Sequence, residues 1–288
     1  MSKWFFGNAS LGLSIAAFVG LIGVGANAAD GQGSVKLKNI AANVVVTPEA
    51  RSDVALSVFY GVSKLPKIMV RMDSGTLVAD GQLDKKNINC HGSEAVSVSG
   101  HGRMSLSELP TIIIKVPMDA KISASGASYG KIGPSTNLSF ASGGCGQWDA
   151  ANITNNAKLA IGGSGTIRTG TAASYSLAIG GSGDIYTGAT QSLKLAIGGS
   201  GKAVFGKLNG PAKISIGGSG GGFIKDGLVT ELDVAIGGSG DVVINAEVKD
   251  IKLSVAGSGD VRIAKHTGTL KKAIIGSGNI KIGPVSID

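Results

Sequence analysis

The 288 residues include 47 glycines and 7 prolines, are only 5% aromatic, and carry a formal charge of +8 at neutral pH. Glycine without a one-in-three period excludes collagen, and 43% apolar residues beside 16% charged ones exclude a disordered chain. So much glycine suits the tight turns of a β-rich protein and argues against a helical bundle.

The chain opens with Lys3, an apolar run from Leu11 to Val24, and the small-x-small triplet Ala26-Asn27-Ala28. Residues 1–28 read as a signal peptide, with a mature chain from Ala29 to Asp288. The run is shorter than the ~20 residues of a membrane span. No cysteine stands at the cleavage point to carry a lipid anchor. The expectation is an exported chain, periplasmic or at the cell surface or secreted, and not an integral membrane protein. Its basic balance suits anionic surfaces, such as acidic polysaccharide, lipopolysaccharide or another envelope component, and not nucleic acid. Plain solubility with no partner explains the charge equally well.

Residues 29–117 read as irregular strands: Val44–Val46, Val54–Val58, Lys67–Arg71 and Thr111–Lys115, separated by Gly, Pro, Asp and Ser clusters. No flexible linker follows near residue 117, so this stretch is expected to form first coils and a cap on what comes next, rather than a separate domain.

Residues 118–288 repeat. Ile-Gly-Gly-Ser-Gly begins at Ile161, Ile179, Ile197, Ile216 and Ile236, with looser copies at Val255 and Ile274. The turn serines Ser164, Ser182, Ser200, Ser219, Ser239, Ser258 and Ser277 are spaced by 18 to 20 residues. Cys145 occupies the serine slot one step earlier, and Ser125–Ser128 fits a weaker copy before that. Apolar residues alternate on both sides of the turn, as in Leu195/Ile197 before Ser200 and Val242/Ile244 after Ser239. Period two on both flanks marks strands with one buried face. The whole is an all-β parallel β-helix, a solenoid of about 18 to 20 residues per coil. The turn glycines are expected in conformations that alanine resists, with the serines forming a side-chain hydrogen-bond ladder. The final copy breaks the pattern, with Lys272 in an inward column and Ile275 in a glycine one, as a terminal cap would.

The copies around Ser182, together with the Ile113-Ile-Lys-Val-Pro117 entry to the repeats, resemble the head GIN domain, a family named for autotransporter adhesins. The resemblance spans most of the mature chain and is strongest from about Ile113 to Ile282. It implies a single-chain β-helix, usually taken as right-handed, exported to the cell envelope and adhesive. The chain departs from an autotransporter in having no C-terminal stretch with the lipid-facing alternation of a membrane barrel, so self-display is not expected.

Catalytic and metal chemistry finds little support. A calcium β-roll needs aspartate where Ile167, Ile185, Val242 and Val261 stand, and Asp184, Asp241 and Asp260 come one place early. Asp241 and Asp260 would stack beside Arg262, the nearest approach to the clustered carboxylates of a polysaccharide lyase or hydrolase. A solvated face explains them better. The serines recur in every coil with no base beside them, unlike a catalytic nucleophile. Gly198-Gly-Ser-Gly-Lys202 lacks the spacing and the helix of a phosphate loop. Cys90-His91 with His101 reads as loop histidines near a disulfide rather than a metal site. No catalytic, cofactor or metal residues are assigned. The favoured function is an adhesin-like binding surface. The alternatives are a carbohydrate-active enzyme on the same scaffold and a purely structural envelope protein.

Two further expectations follow. In an oxidising compartment Cys90 and Cys145 can pair, fastening the irregular segment to the first coils. Six residues before each turn serine, the outward column reads Lys158, Ser176, Lys194, Lys213, Asp233, Lys252 and Lys271, beside a strip of alanine and serine. Lys158, Lys194, Lys213, Lys252 and Lys271 form a candidate anion-binding face, although a solvated face that discourages aggregation accounts for the same row.

Overall fold

The computed structural model describes residues 24–26, 33–84 and 87–283. It is an all-β solenoid of parallel, stacked coils, about nine turns long. Leu106–Glu108 forms a short 3-10 turn. The signal peptide read over residues 1–28 lies outside the described residues except for Val24–Ala26, whose backbone pairs antiparallel with Val54–Leu56.

Each regular coil has a strand before the Gly-Ser-Gly corner and a strand after it. The pre-turn face stacks Asn137–Ser142, Asn156–Ile161, Ser174–Ile179 and Ser192–Ile197 in parallel register. It continues through the later parts of Lys202–Ile216, Gly227–Ile236 and Val242–Val255 to Leu270–Ile274. The post-turn face stacks Gln147–Ala150, Thr166–Thr169, Asp184–Thr190 and the first part of Lys202–Ile216. Gly221–Ile224, the first part of Val242–Val255, Val261–His266 and Ile280–Ile282 complete it. Period-two alternation sends one residue set inward on both faces. Leu195, Ile197, Ile214, Ile216, Val234 and Ile236 are all at most 2% exposed and belong to one core running from Val35 to Ile263. Where the interior widens, Trp148 fills it, donating from Nε1 to Ser128 Oγ at 2.9 Å. Its ring occupies the space that a Cβ on Gly130 would take.

The corner is held by backbone, which corrects two expectations. Ser182, Ser200, Ser219, Ser239 and Ser258 each donate their N–H to a glycine carbonyl of the preceding coil at 3.0–3.1 Å. Their side chains point to solvent, and among the described residues no hydrogen bond joins one turn-serine hydroxyl to the next. Gly199, Gly201, Gly218 and Gly220 do not adopt left-handed φ either. They are glycine because coils approach closely there. A Cβ on Gly218 would lie 2.2 Å from the Gly199 carbonyl oxygen, and one on Gly220 would lie 2.2 Å from that of Gly201.

At the N-terminal end chain order and spatial order part company. Strand Ser34–Glu49 lies between Asp119–Ile132 on one side and Thr76–Asp80 with Thr111–Pro117 on the other. Two antiparallel strands then end the stack, Val54–Phe59 on Thr111–Pro117 and Met69–Asp73 on Thr76–Asp80. A separate antiparallel sheet of Ile88–His91, Ala95–Val98 and Gly102–Ser105 leaves the solenoid and folds over its corner. There Val96, Val98 and Met104 pack with Ala41, Ala127 and Tyr129, and Ala127 lies where the next coil places Cys145 and later coils expose serine. The opposite end has no such cover among the described residues. All five residues of Leu270–Ile274 are exposed, and Lys272 takes the inward register of Leu253.

Candidate functional site

The register assembles the pre-turn lysines into one column. Lys158 lies opposite Ser176, Ser176 opposite Lys194, and Lys194 opposite Lys213. Asp233 comes next, followed by Lys252 and Lys271. All five lysines are exposed. Parallel pairing brings Lys194 beside Lys213 and Lys252 beside Lys271, at a coil spacing of about 4.8 Å. Among the described residues, Lys213 alone of the five has a carboxylate within ion-pair distance, Asp233 at 3.7 Å. Lys121 and Ser139 extend the column toward the N-terminal end. Sequence reading missed them because the column was aligned on turn serines, and in these two coils Ala127 and Cys145 stand in that slot.

Next to the lysines runs a column of small residues, Ala160, Ala178, Ala196, Ser215, Ala235, Ser254 and Ala273. Beyond it stand Gly198, Gly217 and Gly237, where an added Cβ would meet nothing within 4 Å. The result is an open groove of about 550 Å³ over Ala196, Gly198, Ser215, Gly217, Ala235, Gly237 and Ser254. A second groove, of about 480 Å³, lies over Lys121, Ser139, Lys158 and Ser176. Both follow the solenoid axis.

The stacked carboxylates that raised the enzyme alternative are occupied by the fold. Asp184 Oδ1 accepts the Lys202 N–H at 2.9 Å, Asp241 Oδ1 accepts that of Asp260 at 2.9 Å, and Asp260 Oδ1 accepts that of Asn279 at 3.1 Å. Arg262 then pairs with the second Asp260 oxygen at 2.8 Å. Asn152, Asn209 and Asp250 do the same at other bends, for Thr171, Leu228 and Thr269. A coil that bends loses some carbonyl acceptors of its neighbour, and a side-chain oxygen supplies the missing one. At Asp250 the Thr269 hydroxyl and N–H together hold the carboxyl below its ordinary pKa.

The cysteines form a disulfide, Cys90–Cys145, with Cα atoms 6.0 Å apart. It ties the antiparallel sheet to the corner, helped by Tyr129 Oη donating to the Gly92 carbonyl at 2.8 Å. With both sulfurs bonded, no thiolate is left beside His91, whose Nε2 meets Ser97 Oγ at 2.8 Å. A cleft of about 560 Å³ opens along this seam, lined by Cys90, Cys145, Gln147, Ser164, Thr166 and several glycines. Its polar side chains are the neutral ones of Asn89, Ser93, Gln147, Ser164 and Thr166. A disulfide is the mark of an oxidising compartment, and with it of an exported protein. Among the described residues no helix is long and apolar enough to cross a membrane.

No family model matches the chain, and no curated protein matches it. Solved structures do align. A "putative lipid binding protein" from Parabacteroides distasonis is 14% identical, with 91% of this chain and 96% of that one covered at a TM-score of 0.49. A "putative adhesin" from Bacteroides fragilis is 15% identical, covering 91% and 97% at 0.42. A "putative cell adhesion protein" from Clostridium sporogenes is 12% identical, covering 91% and 100% at 0.23.

Proposed function

We propose that this chain is an exported, non-catalytic binding protein of the cell envelope. Its pre-turn face holds an acidic polymer, acidic polysaccharide or lipopolysaccharide, along the lysine column. Residues 29–117 serve as the cap and residues 118–288 as the binding repeat. The adhesive role implied by the head GIN resemblance agrees with this reading.

The observation that carries it is the single register of Lys158, Lys194, Lys213, Lys252 and Lys271, all exposed and four of them without a carboxylate partner among the described residues. A rigid ladder of like charges costs repulsion that a polyanion relieves, and a linear polymer matches its regular spacing. The small residues beside the column let such a polymer lie close to the backbone. Polysaccharide cleavage is the weaker reading, because Asp184, Asp241 and Asp260 each accept a backbone N–H of the next coil.

The test is retention on an immobilised acidic polysaccharide. Changing Lys194, Lys213 and Lys252 together to glutamine should abolish retention and leave thermal stability nearly unchanged. Wild-type retention should fall steeply with salt, since charges are screened beyond ~8 Å at physiological ionic strength. Unaltered retention of the triple variant would remove this face as the site.

A further inference from the structure

The post-turn face carries a second column, independent of the lysines. Its register runs Asp149, Arg168, Tyr186, Val204, Phe223, Val243, Arg262, Lys281. The middle four side chains are apolar or aromatic on the outer face of the sheet, bracketed by an arginine at each end. Tyr186 is 37% exposed.

Both rings lie along the sheet instead of standing away from it. The Tyr186 hydroxyl donates to Asp184 Oδ2, two residues back, at 3.3 Å. The edge of Phe223 covers Gly221, also two residues back, where a Cβ would come within 2.7 Å of the ring. The rings therefore lean the same way, each back over the residue two places before it, with Tyr186 exposed and Phe223 half-buried. The Arg168 guanidinium sits 5.4 Å from the Tyr186 ring centroid. Tyr186 and Phe223 are two coils apart, about 10 Å. Lys202, and Asp241 just before Val242–Val255, stand in the flanking column and offer a donor and an acceptor along one edge of the ridge, whereas both Asp184 oxygens already accept, from the Lys202 N–H and the Tyr186 hydroxyl.

We propose that this ridge is a binding platform for a neutral, ribbon-like β-linked glycan running along the solenoid axis. A pyranose ring in such a polymer has a flat face of C–H groups and a rim of equatorial hydroxyls. The flat face stacks on an exposed aromatic ring, and the rim reaches side chains on the flanking column. Two rings two coils apart meet alternate sugars of an extended chain, and Val204 lies under the sugar between them. The occupant is not a folded protein. The ridge is one side chain wide and four coils long, about 19 Å, far short of the ~800 Å² per partner of a standard protein interface. Acidic and basic side chains border the ridge in equal number, Asp184, Asp241 and Asp260 against Arg168, Lys202 and Arg262, so it has no excess positive charge to select an acidic glycan.

The experiment titrates the full mature chain with cellohexaose and with chitohexaose, followed by calorimetry. At least one should bind, with an affinity that changes little with salt and is unaffected by the triple lysine-to-glutamine substitution. Tyr186→Ala and Phe223→Ala should each weaken binding by about tenfold, and Tyr186→Phe should retain it, because the ring remains. Melting curves of the variants identify any that fail to fold; binding lost in Tyr186→Phe as well would assign it to the hydroxyl and not to stacking. No binding of either oligosaccharide would overturn the proposal. So would binding that survives loss of both rings, or binding confined to acidic oligosaccharides.

Discussion

At the scale of the residue, the corner glycines differ in what they do, although the repeat spells them alike. Gly217 and Gly218 are adjacent in the same quartet. An added Cβ meets nothing at the first and the Gly199 carbonyl at the second. Gly218→Ala should therefore destabilise by roughly 1–3 kcal/mol or more, as overpacking does, whereas Gly217→Ala should stay within about 0.5 kcal/mol of wild type. Ala256 already occupies the equivalent of Gly217 two repeats later. Equal losses in a denaturant titration would contradict close coil approach as the reason for glycine. Inside the core, Ile214→Ala should cost about 2–5 kcal/mol, with exposed Lys194→Ala as the near-neutral comparison. Tyr175 supplies a pH dependence. It is 2% exposed, its hydroxyl donates to the Gly170 carbonyl at 2.8 Å, and burial pushes its pKa up to about 12. A raised pKa favours the protonated, folded form. Its contribution is complete below the unfolded value near 10 and is lost as pH rises from there through about 12. Unfolding followed between these limits should show a step that Tyr175→Phe reduces; an identical profile in the variant would reject this assignment.

At the scale of the element, the regular coils were legible because one residue in two is apolar and the turn repeats at nearly fixed spacing. Leu195, Ile214 and Val234 show it: alternation alone placed them inward, and each is at most 1% exposed. Three things were not legible. Backbone close approach and left-handed φ leave the same glycine in a sequence, so Gly199 and Gly218 carried the wrong explanation. An exposed serine at a turn looks the same whether its hydroxyl or its N–H makes the ladder. The sheet of Ile88–Ser105 has short strands whose partners lie within itself, and no repeat marks where it folds back. Its disulfide yields the prediction at this scale. Cys90 and Cys145 are 55 residues apart, and in the chain-entropy argument such a closure is worth roughly 4 kcal/mol. Reduction should lower the melting temperature and expose amides of Ile88–Ser105 to hydrogen exchange before those of Asn156–Ile236. Thiol titration of the unfolded, unreduced chain should find no free sulfhydryl. Exchange that is unchanged on reduction would mean that apolar packing, not the bond, holds this sheet.

At the scale of the whole molecule, the solenoid is asymmetric end to end. Antiparallel strands close the N-terminal end, while Leu270, Ile274, Ile275 and Ile282 are 38%, 40%, 78% and 38% exposed at the other. Lys272, in an inward register there, is the kind of charge that keeps an open strand edge from pairing with another. Coils that touch only their neighbours fray from the less covered end, so amides of Leu270–Ile282 should exchange fastest among the repeats. Along this rod the pre-turn face presents its lysines in line, and Asp233 is the one acidic break, paired with Lys213. Asp233→Lys therefore tests the binding account most directly, because it asks for a gain that misfolding cannot mimic. The measurement is the dissociation constant for a soluble acidic polysaccharide across a salt series, in wild type and variant. Tighter binding with a steeper salt dependence in Asp233→Lys is the predicted result. Equal affinity and equal salt dependence would contradict the lysine column as the binding face.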